Sequence, residues 1–179
     1  YLSAVDDDTY ETNETTKLTI SSVNNGQAAS SGISVEFTIE DNDAVPSVTL
    51  STNKDFVGES DLFKEAVITA TSSGPAGDTI KVLLSTSGTG TKDTDYELTS
   101  DTIFILPGNT TGTIKLTAKW LAENDPTEGE ENVTLDIASV LGATEDGTQS
   151  VTLKITETSC DSVVKDIYGN VSDDMTLYE

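Results

Sequence analysis

The sequence contains no histidine and one cysteine, Cys160. With a single thiol no disulfide can close within the chain, and without imidazole the usual zinc clusters cannot be assembled. The missing histidine also removes the Ser–His and Cys–His pairs on which nucleophilic catalysis ordinarily rests. Cations are scarce as well: Lys and Arg together number 9 against 32 Asp and Glu, for a formal charge of −23. A phosphate backbone or an anionic membrane surface would be repelled by such a chain, so nucleic acid is excluded as a partner. Aromatic residues make up only 6% of the chain. No apolar run approaches the roughly 18 residues of a membrane-spanning helix, and no charged-then-apolar leader stands before Tyr1. The expectation is a soluble piece of something longer, with no direct membrane insertion.

What the chain does have is alternation. Its 179 residues suffice for one ordinary domain and a remainder. In "TIKLTAKW", Ile114, Leu116, Ala118 and Trp120 share one parity and the polar residues the other. Successive strand side chains point to opposite faces, so this is the pattern of a half-buried strand. The same reading turns Val133, Leu135 and Ile137 inward in "NVTLDI", Val151, Leu153 and Ile155 in "SVTLKIT", and Ile80, Val82 and Leu84 in "TIKVLLS". Between them lie "SSGPAGD", "STSGTGTKDTD" and "LPGNTTG", read as turns because Gly and Pro supply backbone angles that strands do not. Short alternating strands with frequent turns predict an all-β, immunoglobulin-like antiparallel β-sandwich.

An internal repeat divides the chain. "ETNETTKLTISSV" (11–23) aligns with "EGEENVTLDIASV" (128–140) at a constant offset of 117 residues, bringing Glu11 onto Glu128, Glu14 onto Glu131 and Leu18 onto Leu135. "VEFTIEDND" (35–43) aligns with "VTLKITETS" (151–159) after a slip of one residue. Residues 1–44 are therefore expected to be the last two or three strands of one module, and 45–159 a complete module. Residues 160–179 would be a linker or the start of a following segment. A half-sandwich leaves an apolar face and an unpaired edge, so the first segment is expected to be disordered, paired with another copy or docked on its neighbour.

The acidic residues are clustered. "VDDDTYETNE" (5–14) places Asp6, Asp7, Asp8, Glu11 and Glu14 together with no cation among them. Two carboxylates about 4 Å apart repel by about 1 kcal/mol in water and by more where water is partly excluded. Glu131 shares the inward parity of Val133 and Leu135 but stands first in its strand, at the rim of the core, and Glu14 stands likewise to Leu18 and Ile20. Carboxylates aimed inward at a sandwich tip are costly without a positive partner. Calcium is the natural one, since it takes 6–8 oxygen ligands in irregular loops where magnesium demands a strict octahedron.

In its "VGE" (57–59), "DTDY" (93–96), "ENDPTEGEE" (123–131) and the acidic end after the last strand, the chain resembles the Calx-beta module, a calcium-binding β-sandwich; "VDDDTYETNE" and "TIEDND" (38–43) match the pattern more closely still. The resemblance implies a ligand set of Glu59, Asp95, Glu123, Asp125, Glu128, Glu131 and Glu157 in the complete module. In the partial one it implies Asp6, Asp7, Glu11, Glu14, Asp41 and Asp43. Asn124 replaces a usual Asp, and Thr158 and Ser159 replace an acidic ending, so the complete module is expected to hold fewer ions or to hold them loosely. The implied cofactor is Ca2+. The implied role is a calcium-stiffened structural repeat of a large secreted or cell-surface protein, serving adhesion or matrix contact. Its partners would be neighbouring modules and a surface protein, matrix protein or glycan.

Blander readings stand beside these. An acidic loop can simply be solvated, Asp95 before Tyr96 reads equally as a turn residue beside a core aromatic, and Trp120 ends an inward row and is expected in the core. The acceptor patterns "NET", "NTT" and "NVT" arise readily in Thr-rich strands and carry no expectation of glycans. "IEDNDAVP" (39–46) is similar to the linker between cadherin repeats, but the junction after the complete module, "ITETSCDS" (155–162), is not. A carbohydrate- or protein-recognition module independent of calcium, and a calcium sensor regulating a transporter, are the rival functions. The first would need an aromatic platform, for which the chain offers one Trp and a few Tyr. Catalysis is not expected.

Overall fold

The computed structural model describes residues 1–58, 63–119 and 129–156. Its described elements are all strands. Two precede the sandwich: β1 (Glu14–Thr19) and β2 (Ser34–Ile39), which form an antiparallel hairpin of their own. The sandwich follows with β3 (Ser47–Thr52), β4 (Phe56–Gly58), β5 (Glu65–Ser72), β6 (Ile80–Gly88), β7 (Tyr96–Leu98), β8 (Thr102–Ile105), β9 (Thr111–Ala118), β10 (Glu131–Leu141), β11 (Thr144–Glu145) and β12 (Ser150–Thr156). They make two five-stranded sheets, ordered β4-β12-β10-β6-β8 and β11-β3-β5-β9-β7.

The inward rows read from the sequence become the core. Ile80, Val82, Leu84, Ile114, Leu116, Ala118, Val133, Leu135, Leu153 and Ile155 are all buried between the sheets, together with Val48, Ile68, Ile103 and Tyr96. Ala66 and Ala70 on β5, both without solvent exposure, keep the second sheet's inner face thin enough for the larger side chains opposite. The inferred position of Trp120 lies outside the described residues.

Three features depart from the expected pattern, each through pairing with a remote strand or within the ladder it forms. The "STSG" run does not begin a turn: β6 continues to Gly88, because Thr86 and Gly88 pair with Leu135 and Val133 of β10, and the strand's polar end is held by that ladder. The antiparallel order is broken at two edges, where β4 runs parallel to β12 and β11 parallel to β3. In β10 the alternation itself changes phase. Val133, Leu135 and Ile137 point inward, then a bulge between Ile137 and Ser139 shifts the register so that Val140 meets the fully buried Val82. One extra residue returns the apolar parity to the core.

The hairpin is tied to the sandwich just before β1. Tyr10 N–H donates to the Pro75 carbonyl at 3.2 Å, and Gly77 N–H donates to the Tyr10 carbonyl at 2.9 Å. The Tyr10 side chain packs, half-buried, against the sandwich core. The contact is made by the Tyr10 segment, while the apolar side chains Leu18, Ile20, Val35 and Phe37 of the hairpin stay exposed.

Candidate metal centre

The open end of the hairpin gathers the acidic residues. Thr9 N–H donates to Asp7 Oδ1 at 2.8 Å, and Glu11 N–H donates to Asp41 Oδ2 at 3.0 Å. Asp41 N–H in turn donates to Asn13 Oδ1 at 3.3 Å. These bonds draw the strand that enters β1 against the strand that leaves β2. An open hollow of about 120 Å³ results, lined by Asp6, Asp7, Glu11, Glu14, Asp41 and Asp43. All six carboxylates inferred for the partial module therefore border one cavity, and no lysine lines it.

The charges oppose one another there. The Glu11 carboxyl is held above the ordinary carboxylate range by partial loss of water and then by Glu14, Asp7, Asp41 and Asp78. Asp43 is raised in the same way, by lost water first and then by Asp41, Asp8, Asp6 and Asp7. Asp78 reaches the cluster from the sandwich loop that holds Tyr10. The approach is close, since a Cβ on Gly77 would lie 2.6 Å from Glu11 Oε1. Asp8, Asp78 and Glu40, the last of which lines the hollow itself, are the acidic residues that the ligand set inferred from sequence omits. Asp8 lay within the quoted run; nothing local to "SGPAGD" marked Asp78, whose proximity is tertiary.

A pH dependence follows from the direction of these shifts. A carboxyl whose folded pKa is raised favours the folded state while protonated, and that contribution is lost as pH rises through the raised value. In metal-free solution, therefore, opening of the hairpin measured by amide exchange, corrected for intrinsic rates, should become more frequent as pH climbs from about 4 toward neutrality. The double variant Glu11→Gln, Asp43→Asn should flatten that dependence. Glu65 carries the opposite sign: its hydrogen bond and charge pairing with Lys115 hold its pKa low, so its contribution is lost as pH falls.

The second inferred cluster is only partly within the described residues. Glu59, Glu123, Asp125, Glu128 and Glu157 lie outside them. The two that are described stand at the same end of the sandwich. Glu131 pairs with Ile155 at the start of β10, next to the Gly58–Thr156 pair that ends β4 and β12. Its Oε2 lies 3.5 Å from the position a Cβ on Gly90 would take. Asp95 is buried, and its Oδ2 accepts the Thr91 N–H at 2.6 Å, while its own N–H donates to the Thr91 carbonyl at 2.9 Å. Asp95 thus closes the loop that lies over Glu131 and sets the buried Tyr96 into β7. That gives it the turn-forming role weighed from the sequence, whatever its second oxygen binds.

As the side chains stand, no group of three or more Asp, Glu, His or Cys among the described residues has a metal-holding arrangement. The donor chemistry nonetheless suits a hard divalent cation: carboxylate oxygens in excess, with Glu11 and Asp43 raised in pKa by lost water and by their neighbours, in irregular backbone. Four lysines of the sandwich are engaged elsewhere. Lys115 pairs with Glu65 at 2.8 Å, Lys119 with Glu97 at 2.9 Å, Lys154 with Glu130 at 2.7 Å, and Lys92 with Asp101.

Comparison with known proteins places this geometry in context. The family model for the Calx-beta domain matches residues 41–161. No curated protein matches the chain. Among solved structures it is similar to a two-domain protein of unknown function from Bacteroides fragilis NCTC 9343, at 15% identity and a TM-score of 0.45, over 64% of this chain and 46% of that one. It is also similar to the CupB2 chaperone of Pseudomonas aeruginosa, at 14% identity and a TM-score of 0.38, over 63% of this chain and 58% of that one. The chain thus spans about half the length of each of these structures.

Proposed function

Because the chain belongs to the Calx-beta domain family, we propose that it is a calcium-binding structural repeat of a larger secreted or cell-surface protein, acting by binding rather than by catalysis. The observation that carries this reading is the hollow at the open end of the hairpin, bordered by seven acidic residues, the six inferred ligands and Glu40, and by no lysine. A divalent cation there would replace mutual repulsion with attraction to Asp6, Asp7, Glu11, Glu14, Asp41 and Asp43.

The mechanical consequence comes from where the hollow lies. Glu11 follows Tyr10, the residue bonded to the sandwich loop through Pro75 and Gly77. Asp43 lies midway along the connection from β2 to β3. Both covalent and non-covalent links between hairpin and sandwich therefore run past the carboxylates. Neutralising them stiffens the joint, turning a hinged string of units into a rod suited to holding an adhesive or matrix-binding surface away from a cell.

Calcium should raise the thermal stability of the chain relative to EDTA. At free calcium about 100 times the dissociation constant, one site adds about 2.7 kcal/mol. Calorimetric titration should show heat of binding for calcium that Asp41→Asn with Glu11→Gln removes, and weaker binding of magnesium. A melting curve identical in calcium and EDTA, with no heat on titration, refutes the proposal.

A further inference from the structure

The β1–β2 hairpin repeats the β10–β12 pair in register as well as in sequence. Glu14 pairs with Ile39 and Leu18 with Val35. In the sandwich Glu131 pairs with Ile155 and Leu135 with Val151. The one-residue slip between the two strand alignments is absorbed in the turn, so the cross-strand partners correspond throughout. What differs is the covering. In the sandwich, β10 is flanked by β6 and β12 by β4, and the inner face lies against the second sheet. The hairpin is a two-stranded sheet. Where Leu135 and Leu153 have no exposure, their counterparts Leu18 and Phe37 are 62% and 37% exposed. Ile20 and Val35 on the same face are exposed as well.

We propose that β1 and β2 are the closing hairpin of a second sandwich of the same kind, whose remaining strands, the counterparts of β3 to β9, come from polypeptide N-terminal to Tyr1. The β10–β12 pair supplies the template for what covers such a face: a β6-like strand on the outer edge of β1, a β4-like strand running parallel along β2, and an apolar sheet over Leu18, Ile20, Val35 and Phe37. A two-stranded ribbon with an apolar face is at best marginally stable by itself, and bare strand edges recruit other strands. A second copy of the 179-residue chain is a poor donor, because its own β4 and β6 are already paired with its β12 and β10. The inference concerns strand pairing and does not depend on calcium.

The test compares the natural polypeptide containing this chain with the 179-residue chain alone, by hydrogen exchange, in calcium and in EDTA. Backbone amides of β1 and β2 should be protected on the order of 100-fold more in the longer polypeptide. That gain in either solution supports the assignment, so a failure of calcium binding leaves it standing. Leu18→Asp should abolish the gain while leaving the melting of the β3–β12 sandwich unchanged in the 179-residue chain; Leu18→Thr, a milder change, should reduce it. Equal protection in the two polypeptides, or a natural polypeptide that starts at Tyr1, overturns the proposal. So does a dimer of the 179-residue chain, seen by sedimentation, in which the hairpin is already protected.

Discussion

Leu135→Ala is expected to lower the stability of the chain by about 3 kcal/mol, within the range of about 2–5 kcal/mol for such truncations in well-packed cores. Leu135 has no solvent exposure and sits at the centre of β10, paired on one side with Val151 and on the other with Thr86. With β12 and β6 hydrogen-bonded on either side, its backbone cannot move inward to fill the space left by the lost methyl groups. The full transfer loss and most of the cavity loss should therefore appear together. Domains of this size are stable by only about 5–15 kcal/mol, so the midpoint of urea unfolding should fall steeply while the slope stays constant. Leu18, its counterpart in the hairpin, is largely exposed, and Leu18→Ala should cost the isolated 179-residue chain little. A similar cost at both positions would show that the hairpin face is buried.

Gly88→Ala is the second large effect. Gly88 ends β6 with φ 123, a conformation close to glycine's exclusive territory. An added Cβ would meet the Asn132 carbonyl oxygen at 2.4 Å and Asn132 Oδ1 at 2.7 Å. The obstacle is chiefly backbone of the paired strand, which cannot swing aside as a flexible side chain would. Strained φ costs about 1–3 kcal/mol and overpacking about 1–3 kcal/mol, so a loss of about 3 kcal/mol is expected in chemical denaturation. The damage should also reach the loop end: the Thr89 and Gly90 amides both donate to the Asn132 carbonyl at 3.0 Å, and they lead into the Thr91–Asp95 turn beside Glu131. If the loop opens, amide exchange at Thr89 to Thr91 should rise more than at Val82, whose pairing lies at the other end of β6.

Which residues face the core was legible in the sequence because strand side chains alternate with a period of two, and a row such as Ile114, Leu116, Ala118 can be read without knowing its neighbours. Six of the seven acidic residues around the hairpin hollow were legible for a related reason. The repeat marks Glu11 and Glu14 by their match to a second copy, and "TIEDND" places Asp41 and Asp43 just beyond the strand paired with the first. Local signals failed where the outcome depended on distant pairing. The "STSG" run has turn composition, yet β10 holds it in a ladder through Gly88. Asp95 was legible as one acidic residue beside an aromatic, but its choice to bond Thr91 is a matter of loop closure.

By itself, then, the sequence determined the alternating faces, the sandwich class, the strong negative charge and the grouping of acidic residues, since each is written in neighbouring residues or in a fixed repeat. Tertiary structure alone decided the parallel edges at β4 and β11, the bulge that brings Val140 onto Val82, and the docking of Tyr10 that sets Asp78 beside Glu11. These depend on which remote segments meet, and the free energy of such meetings comes from pairing and burial that no single stretch of chain contains.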